Sequence, residues 1–336
     1  MSRTTPKAVA LLAAAALSLT ACGTVGDGGG AAGPQEQRAA DEVTIGFAHR
    51  QMDAPFYTAM EATAQEHAQR DGFSLLFQNA AGSPVTQLDQ VQTMLAQGAD
   101  IIVVDAISPE TQRSQFEQVA GQVPLVFVDT GIPDVGITTI ESDNEEIGRL
   151  SGQLTAARFG SGESISVAIL NGGPNDEIAG PARQRGFLQG LTEGGVEHDI
   201  VAEASATYTQ EEAVPATESM LAAHPDVDLI LGLNDSMTLG ALQVLRNQGN
   251  TDTLVAAAAD GQKEALAEIQ QGGCDGQYIS SGLNWPDLAA AQAFDLALSI
   301  ATGEQDPAEV EPLINTRAAG IGCENVDEFY DPDNLF

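Results

Sequence analysis

The chain has 336 residues, enough for two domains of ordinary size, and its 43% hydrophobic and 5% aromatic content describes an Ala- and Gly-rich α/β protein, not a disordered or membrane-embedded one. With 48 acidic residues against 13 basic ones, the formal charge of −35 repels phosphate backbones and excludes nucleic acid as a partner. The four His residues, 49, 67, 198 and 224, share no metal-ligand spacing, and Lys263 is the only lysine after Lys7, so neither a metal cofactor nor Schiff-base chemistry is expected.

Arg3 and Lys7 precede an apolar run from Ala8 to Leu19. The run is too short to cross a bilayer core of about 30 Å as a stable helix, and it reads as a secretion signal over residues 1–21. Leu19-Thr20-Ala21-Cys22 resembles the bacterial lipobox, in which the Cys becomes the lipid-bearing first residue of the mature chain. The resemblance implies lipidation of Cys22 and an exported protein anchored to the outer face of the cell membrane. Residues 22–41, rich in Gly and Ala without apolar periodicity, read as a flexible tether.

Val43 to Ala48 reads as a strand and His49 to Asp53 as the loop leaving it; Pro55 starts a helix whose Phe56, Tyr57, Met60 and Ala64 keep helical spacing. Phe73 to Gln78 is a second strand. Ser83-Pro84 supplies a cap and first helical residue, Val85, Leu88, Val91 and Leu95 form the apolar stripe, and Gly98 ends that helix. Ile101 to Val104 and Leu125 to Val128 are unbroken apolar runs, as in parallel strands covered on both faces, and they end in Asp105 and Asp129. Open α/β sheets bind ligands at that edge, so two carboxylates there predict a polar cleft. Asp105 either faces the cleft or braces its loop.

Ser142-Asp143-Asn144-Glu145 has the S-x-x-E form of a capping box ahead of Ile147, Leu150 and Leu154. Ser164 to Leu170 is the next strand, and the loop Asn171-Gly172-Gly173-Pro174 is no G-x-G-x-x-G fingerprint, so no dinucleotide cofactor is expected. Arg183-Gln184-Arg185-Gly186-Phe187 follows on a helix. Asp228 to Leu233 is another unbroken apolar run, and Asn234-Asp235 interrupts it before Met237, Leu239, Ala241, Leu242 and Leu245. Asp235 or Ser236 is placed to cap the following helix, and the Asn-Asp pair either only caps or also faces a ligand. Ala256 to Ala259 is a small-residue strand ending in Asp260-Gly261, and Ile279 to Leu283 leads into Asn284-Trp285-Pro286-Asp287.

The stretch Ala223 to Leu242, the R-x-x-G-F helix and the order of strand-end polar residues together resemble the ribose-type periplasmic binding proteins, the solute receptors of sugar ABC importers, over Val43 to about Ile321. The resemblance implies an α/β fold of two Rossmann-like lobes, parallel sheets flanked by helices, joined by a three-strand hinge (periplasmic binding protein type I). Residues 42–142 plus 285–314 would form the N-terminal lobe and 143–284 plus 315–336 the C-terminal lobe, with crossings near Ser142, Asn284 and Leu313 to Thr316. It also implies ligand roles for Arg50, Asp53, Phe56, Tyr57, Asp129, Arg183, Tyr208, Asn234, Asp260 and Asn284. One of Phe56 and Tyr57 is expected to be core. Arg50 departs from the ribose receptors, which carry a small hydroxyl residue there, and argues against ribose itself.

Three carboxylates and two guanidinium groups suit the hydroxyls of a neutral monosaccharide or polyol, and the aromatic rings suit its apolar faces. The expected partners are that ligand and the permease subunits of an ABC importer, with the membrane reached only through the lipid anchor and the chain a monomer. A receptor of the same fold for a nucleoside or signalling molecule is the alternative. A glycoside-processing enzyme has less support, since the carboxylates are interleaved with Arg and Asn and no H-E-x-x-H or G-x-S-x-G motif occurs. Cys274 and Cys323 are the cysteines left once Cys22 is lipidated, and an exported chain is where such a pair oxidises.

Overall fold

The computed structural model describes residues 37–174 and 176–336. Cys22, the secretion signal and all of the tether before residue 37 lie outside them. In chain order the elements are β1 (Thr44–His49), α1 (Pro55–Asp71), β2 (Ser74–Asn79), α2 (Pro84–Ala96), β3 (Ile101–Val104), α3 (Pro109–Ala120), β4 (Leu125–Val128) and β5 (Thr138–Glu141). Then come α4 (Asn144–Phe159), β6 (Ser164–Asn171), α5 (Ala179–Glu193), β7 (Glu197–Ser205), α6 (Gln210–Ala223), β8 (Leu229–Gly232), α7 (Asp235–Gln248) and β9 (Leu254–Ala257). The chain closes with α8 (Lys263–Gly272), β10 (Ser280–Gly282), α9 (Pro286–Thr302), β11 (Leu313–Asn315) and β12 (Gly320–Gly322). Among the described residues no helix is long and apolar enough to cross a membrane.

The strands form two all-parallel sheets, of order β11-β5-β4-β3-β1-β2 and β7-β6-β8-β9, and an antiparallel pair β10-β12. In the first sheet, side chains alternate between two cores, as the period of a strand requires. Ile45, Phe47, Ile101, Val103 and Val126 pack with Met60 of α1 and Phe294 of α9. Ile102, Val104, Leu125 and Phe127 pack with Met94 of α2 and Phe116 of α3 on the other face. Helices on both faces explain why β3 and β4 are apolar throughout. The fold is the α/β arrangement of parallel sheets flanked by helices that the resemblance implies.

Local chemistry departs from the expected pattern at several points. In α2, Val85 is 70% exposed, while Gln87 is buried in the stripe and donates to the carbonyls of Ala48 (3.1 Å) and Asp105 (2.7 Å). The cap of α4 is Asp143, accepting from Glu146 N–H at 3.0 Å, not Ser142. Asn234 caps α7 by accepting from Met237 N–H at 2.9 Å, so neither Asp235 nor Ser236 is the cap. The strand expected over Ala256 to Ala259 is β9, Leu254–Ala257, two residues earlier.

The chain passes from one sheet system to the other between β5 and α4, between β10 and α9, and between β11 and β12. Side chains tie these passages together. Ser142 Oγ donates to Asn284 Oδ1 at 2.7 Å and lies 2.9 Å from Thr316 Oγ1. Because an amide oxygen only accepts, the Ser142 proton goes to Asn284 and Thr316 donates to Ser142. Ser142, the residue mistaken for a helix cap, is therefore the hydrogen-bonding centre of the hinge.

Candidate functional site

A cavity lies between the carboxyl ends of the two parallel sheets, walled by Arg50, Ala54, Phe56, Tyr57, Asp129 and Thr130 from the first lobe and by Asp176, Glu177, Arg183, Tyr208, Asn234 and Asp260 from the second. Strand ends deliver many of these groups: Arg50 follows β1, Asp129 follows β4, Asn234 follows β8, and Asp260 lies in the loop after β9. Each parallel strand ends at the same edge, so the polar residues that follow it arrive at the cleft or directly behind its wall.

On the first-lobe side, Arg50 Nη1 donates to Thr130 Oγ1 at 3.3 Å, and its guanidinium carbon stands 5.9 Å from the centre of the Tyr57 ring. Behind it Asp105 is fully buried, 3.8 Å from Arg50 Nη1 and 3.7 Å from His49 Nδ1. Burial pushes the Asp105 carboxyl well up, against the pull of Arg50. Burial likewise holds His49 down at about 4, so it stays neutral and donates Nε2–H to the Tyr57 carbonyl at 3.0 Å. Asp105 thus sits behind Arg50 and not in the cavity wall. Phe56 and Tyr57 meet edge to face, with ring centres 5.4 Å apart, and both reach the cavity. Asp129 takes a left-handed backbone, φ 61°, which turns the chain sharply at the end of β4.

On the second-lobe side, Arg183 is held on three sides: Nε donates to Asn144 Oδ1 at 2.8 Å, and Nη1 donates to the Leu233 carbonyl at 3.1 Å and pairs with Asp260 Oδ1 at 3.2 Å. Its guanidinium carbon lies 5.9 Å from the Tyr208 ring centre. Tyr208 donates its hydroxyl to Asp176 Oδ2 at 2.6 Å. Asp235 is fully buried and works behind the wall, where Oδ2 accepts the N–H groups of Asp260 (3.0 Å), Gly261 (2.6 Å) and Gln262 (2.6 Å) and fixes the loop that presents Asp260. Of the Asn-Asp pair, Asn234 therefore faces the cavity and Asp235 positions its neighbour. Arg185 is on the outer surface, paired with Glu145 at 3.0 Å.

Two expected residues stand elsewhere. Asp53 is exposed and lines a neighbouring groove with Thr207, Gln210 and Ser236; Ala54 takes the place in the wall that was expected for it. The cause is one residue of register in a loop with no periodicity to fix it. Asn284 is set behind the wall, where it donates to Asp260 Oδ1 at 3.2 Å and joins that carboxylate to the hinge. Thr130, Asp176 and Glu177 were missed. Asp176 and Glu177 lie in the loop between β6, which ends at Asn171, and α5, too far from the strand end for the argument that flagged Asp129 to reach them.

Among the described residues, His67, Asp71 and Asp295 are the group spaced to hold a metal ion, away from the cleft. Arg70 already donates to Asp71 (2.7 Å) and Asp295 (2.8 Å), so the chain supplies its own cation there. The cysteine pair is a disulfide, Cys274–Cys323.

The curated relatives include a ribose import binding protein of Salmonella typhimurium, 25% identical over 266 residues (78% of this chain, 86% of that protein). A xylitol-binding protein of Mycolicibacterium smegmatis is 27% identical over 328 residues, covering 95% of this chain and 88% of that protein. Among solved structures, an ABC transporter solute-binding protein from Mycobacterium smegmatis with bound glycerol superposes with a TM-score of 0.78 at 26% identity, covering 88% of this chain and 98% of that one. A solute-binding protein from Bacillus halodurans with bound myo-inositol, at 21% identity and a TM-score of 0.76, shares the fold, covering 86% of this chain and 98% of that one. Residues 45–305 match the periplasmic binding protein domain, and the chain belongs to that family.

Proposed function

We propose that this protein is an exported, lipid-anchored solute receptor of an ABC importer, which traps a neutral monosaccharide or polyol between its lobes without altering it. The observation that carries the reading is the alternation of donors and acceptors on both walls of one cleft. Arg50 and Thr130 face Asp129 on one side; Arg183 and Asn234 face Asp260 on the other, with Phe56, Tyr57 and Tyr208 between them. Hydroxyls both donate and accept, so a polyhydroxylated ligand satisfies both kinds of group. The cavity wall sets the carboxyl groups of Asp129, Asp176, Glu177 and Asp260 against the guanidinium groups of Arg50 and Arg183, which leaves no surplus positive charge for an anionic sugar. The relatives that bind ribose, xylitol and glycerol support the same solute class. They are substrate-binding components and not enzymes, and the permease is then the protein partner.

The test is a thermal-shift screen of pentoses, hexoses, polyols and nucleosides. A ligand at a hundred times its Kd raises stability by about 2.7 kcal/mol, several degrees in Tm. One sugar or polyol should raise the Tm of the wild type, and Arg183→Ala should abolish that shift because Asp260 is left buried without its cation. A nucleoside as the only stabiliser, or a sugar shift that survives Arg183→Ala unchanged, would refute the reading.

A further inference from the structure

Glu177 belongs to the second lobe by sequence, in the loop from β6 to α5, yet its carboxylate is bonded to a helix of the first. Its Oε1 accepts from Ser108 Oγ at 2.8 Å and its Oε2 from the backbone N–H of Glu110 at 3.0 Å. Ser108 is the N-cap of α3, but its own hydroxyl makes no capping bond. Gln112 Oε1 satisfies the N–H groups of Ile107 (3.1 Å) and Ser108 (2.9 Å), which leaves the Glu110 amide to be met from across the cleft. A helix begins with unpaired N–H groups and a partial positive charge, so an anion is favoured there. Here the lobe opposite supplies it.

The loop that carries Glu177 is also part of the cavity wall. Asp176 takes the Tyr208 hydroxyl at 2.6 Å on Oδ2 and the Gly180 N–H at 2.8 Å on Oδ1, so the loop is tied to a ring that faces the solute. We propose that Glu177 is the closing latch of the receptor: a positioning residue that sets solute affinity by bridging the lobes. This rests on the reading of the cleft as a solute trap. The two bonds require the lobes to be together, so they favour the closed state whether or not a solute is present, and a bound solute then needs less of its own contact energy to hold it. The carboxylate is solvent-exposed, which keeps the effect moderate.

The test compares wild type with Glu177→Ala, Ser108→Ala and the double variant, using xylitol, D-ribose, glycerol and myo-inositol as probes. Glu177→Ala should weaken binding of the responding probe about three- to tenfold, mainly through faster release, as expected for loss of a cap contact. The double variant should bind no more weakly than Glu177→Ala, because both changes remove one device. Small-angle scattering of the probe-free proteins should show a larger radius of gyration for Glu177→Ala than for wild type. A merely structural role would lower Tm without these changes. Unaltered affinity, or equal radii, or single effects that multiply in the double variant, would overturn the latch. A wild type that binds none of the four probes counts against the solute-trap reading, and the radii alone then decide the latch.

Discussion

Burial pushes Asp260 up to about 7 even though Arg183 Nη1 lies 3.2 Å away, because the desolvation of a carboxylate at 3% exposure outweighs the pull of one cation. Its unfolded value is near 3.8, so between about 4 and 7 the folded chain binds a proton that the unfolded chain releases. Stability tied to this group is complete below pH 4 and lost as pH rises to 7. Burial also lifts Glu141, from 4.5 to about 7, in the same direction. We expect the Tm of the ligand-free protein to fall between pH 4 and 7, and Asp260→Asn to show a shallower fall. A steeper fall in the variant would contradict the assignment. Residues such as Asp129 and Asp260 were legible because an apolar run followed by a carboxylate says both where a strand stops and which edge it stops at. The exchange of Asp53 for Ala54, and the retreat of Asn284 behind Asp260, were not legible, because a loop has no period from which to read direction.

Between residues and molecule, the pairing of α4 with α5 sets where Arg183 points. The helices approach so closely that a Cβ at Gly186 would stand 1.9 Å from the Glu145 carbonyl, and one at Gly152 would stand 2.1 Å from that of Phe187. The contact is backbone to backbone, with no flexible side chain able to yield. Arg183, one turn before Gly186, is thereby brought to Asn144 at the start of α4, which it meets at 2.8 Å. Gly186→Ala should cost about 1–3 kcal/mol by overpacking, read as a lower midpoint in urea. It should also weaken solute binding when the two proteins are compared well below their midpoints, because the helix that bears Arg183 is pushed outward. Stability lost with affinity intact would mean that the guanidinium is positioned by its own hydrogen bonds alone. The glycines are plain in the sequence, but their meaning lies in which helix faces which, and no pattern within one helix states that.

At the scale of the molecule, the residues after β12 form a further link between the lobes. Cys323 is bonded to Cys274, and Val326 and Phe329 enter the second-lobe core, where the Phe329 ring lies 6.1 Å from that of Trp285. The Asn334 carbonyl accepts from Lys263 Nζ at 2.6 Å, and the chain then crosses so that Phe336, 3% exposed, packs edge-on against Phe56 at 5.7 Å. Residues 315–336 were expected to lie wholly in the second lobe, but Phe336 is part of the first-lobe core. Phe56 therefore has the cavity on one side and this segment on the other. The disulfide joins cysteines 49 positions apart, and its reduction should cost about 4 kcal/mol by the chain-entropy argument, seen as a lower Tm in dithiothreitol. Because the same bond anchors the crossing segment, reduction should also release Phe336 from Phe56 and leave that ring less firmly backed. Phe336→Ala in the oxidised protein should then weaken solute binding without the full loss of stability. If reduction lowers Tm while Phe336→Ala leaves solute binding unchanged, the segment braces the second lobe and plays no part in closure.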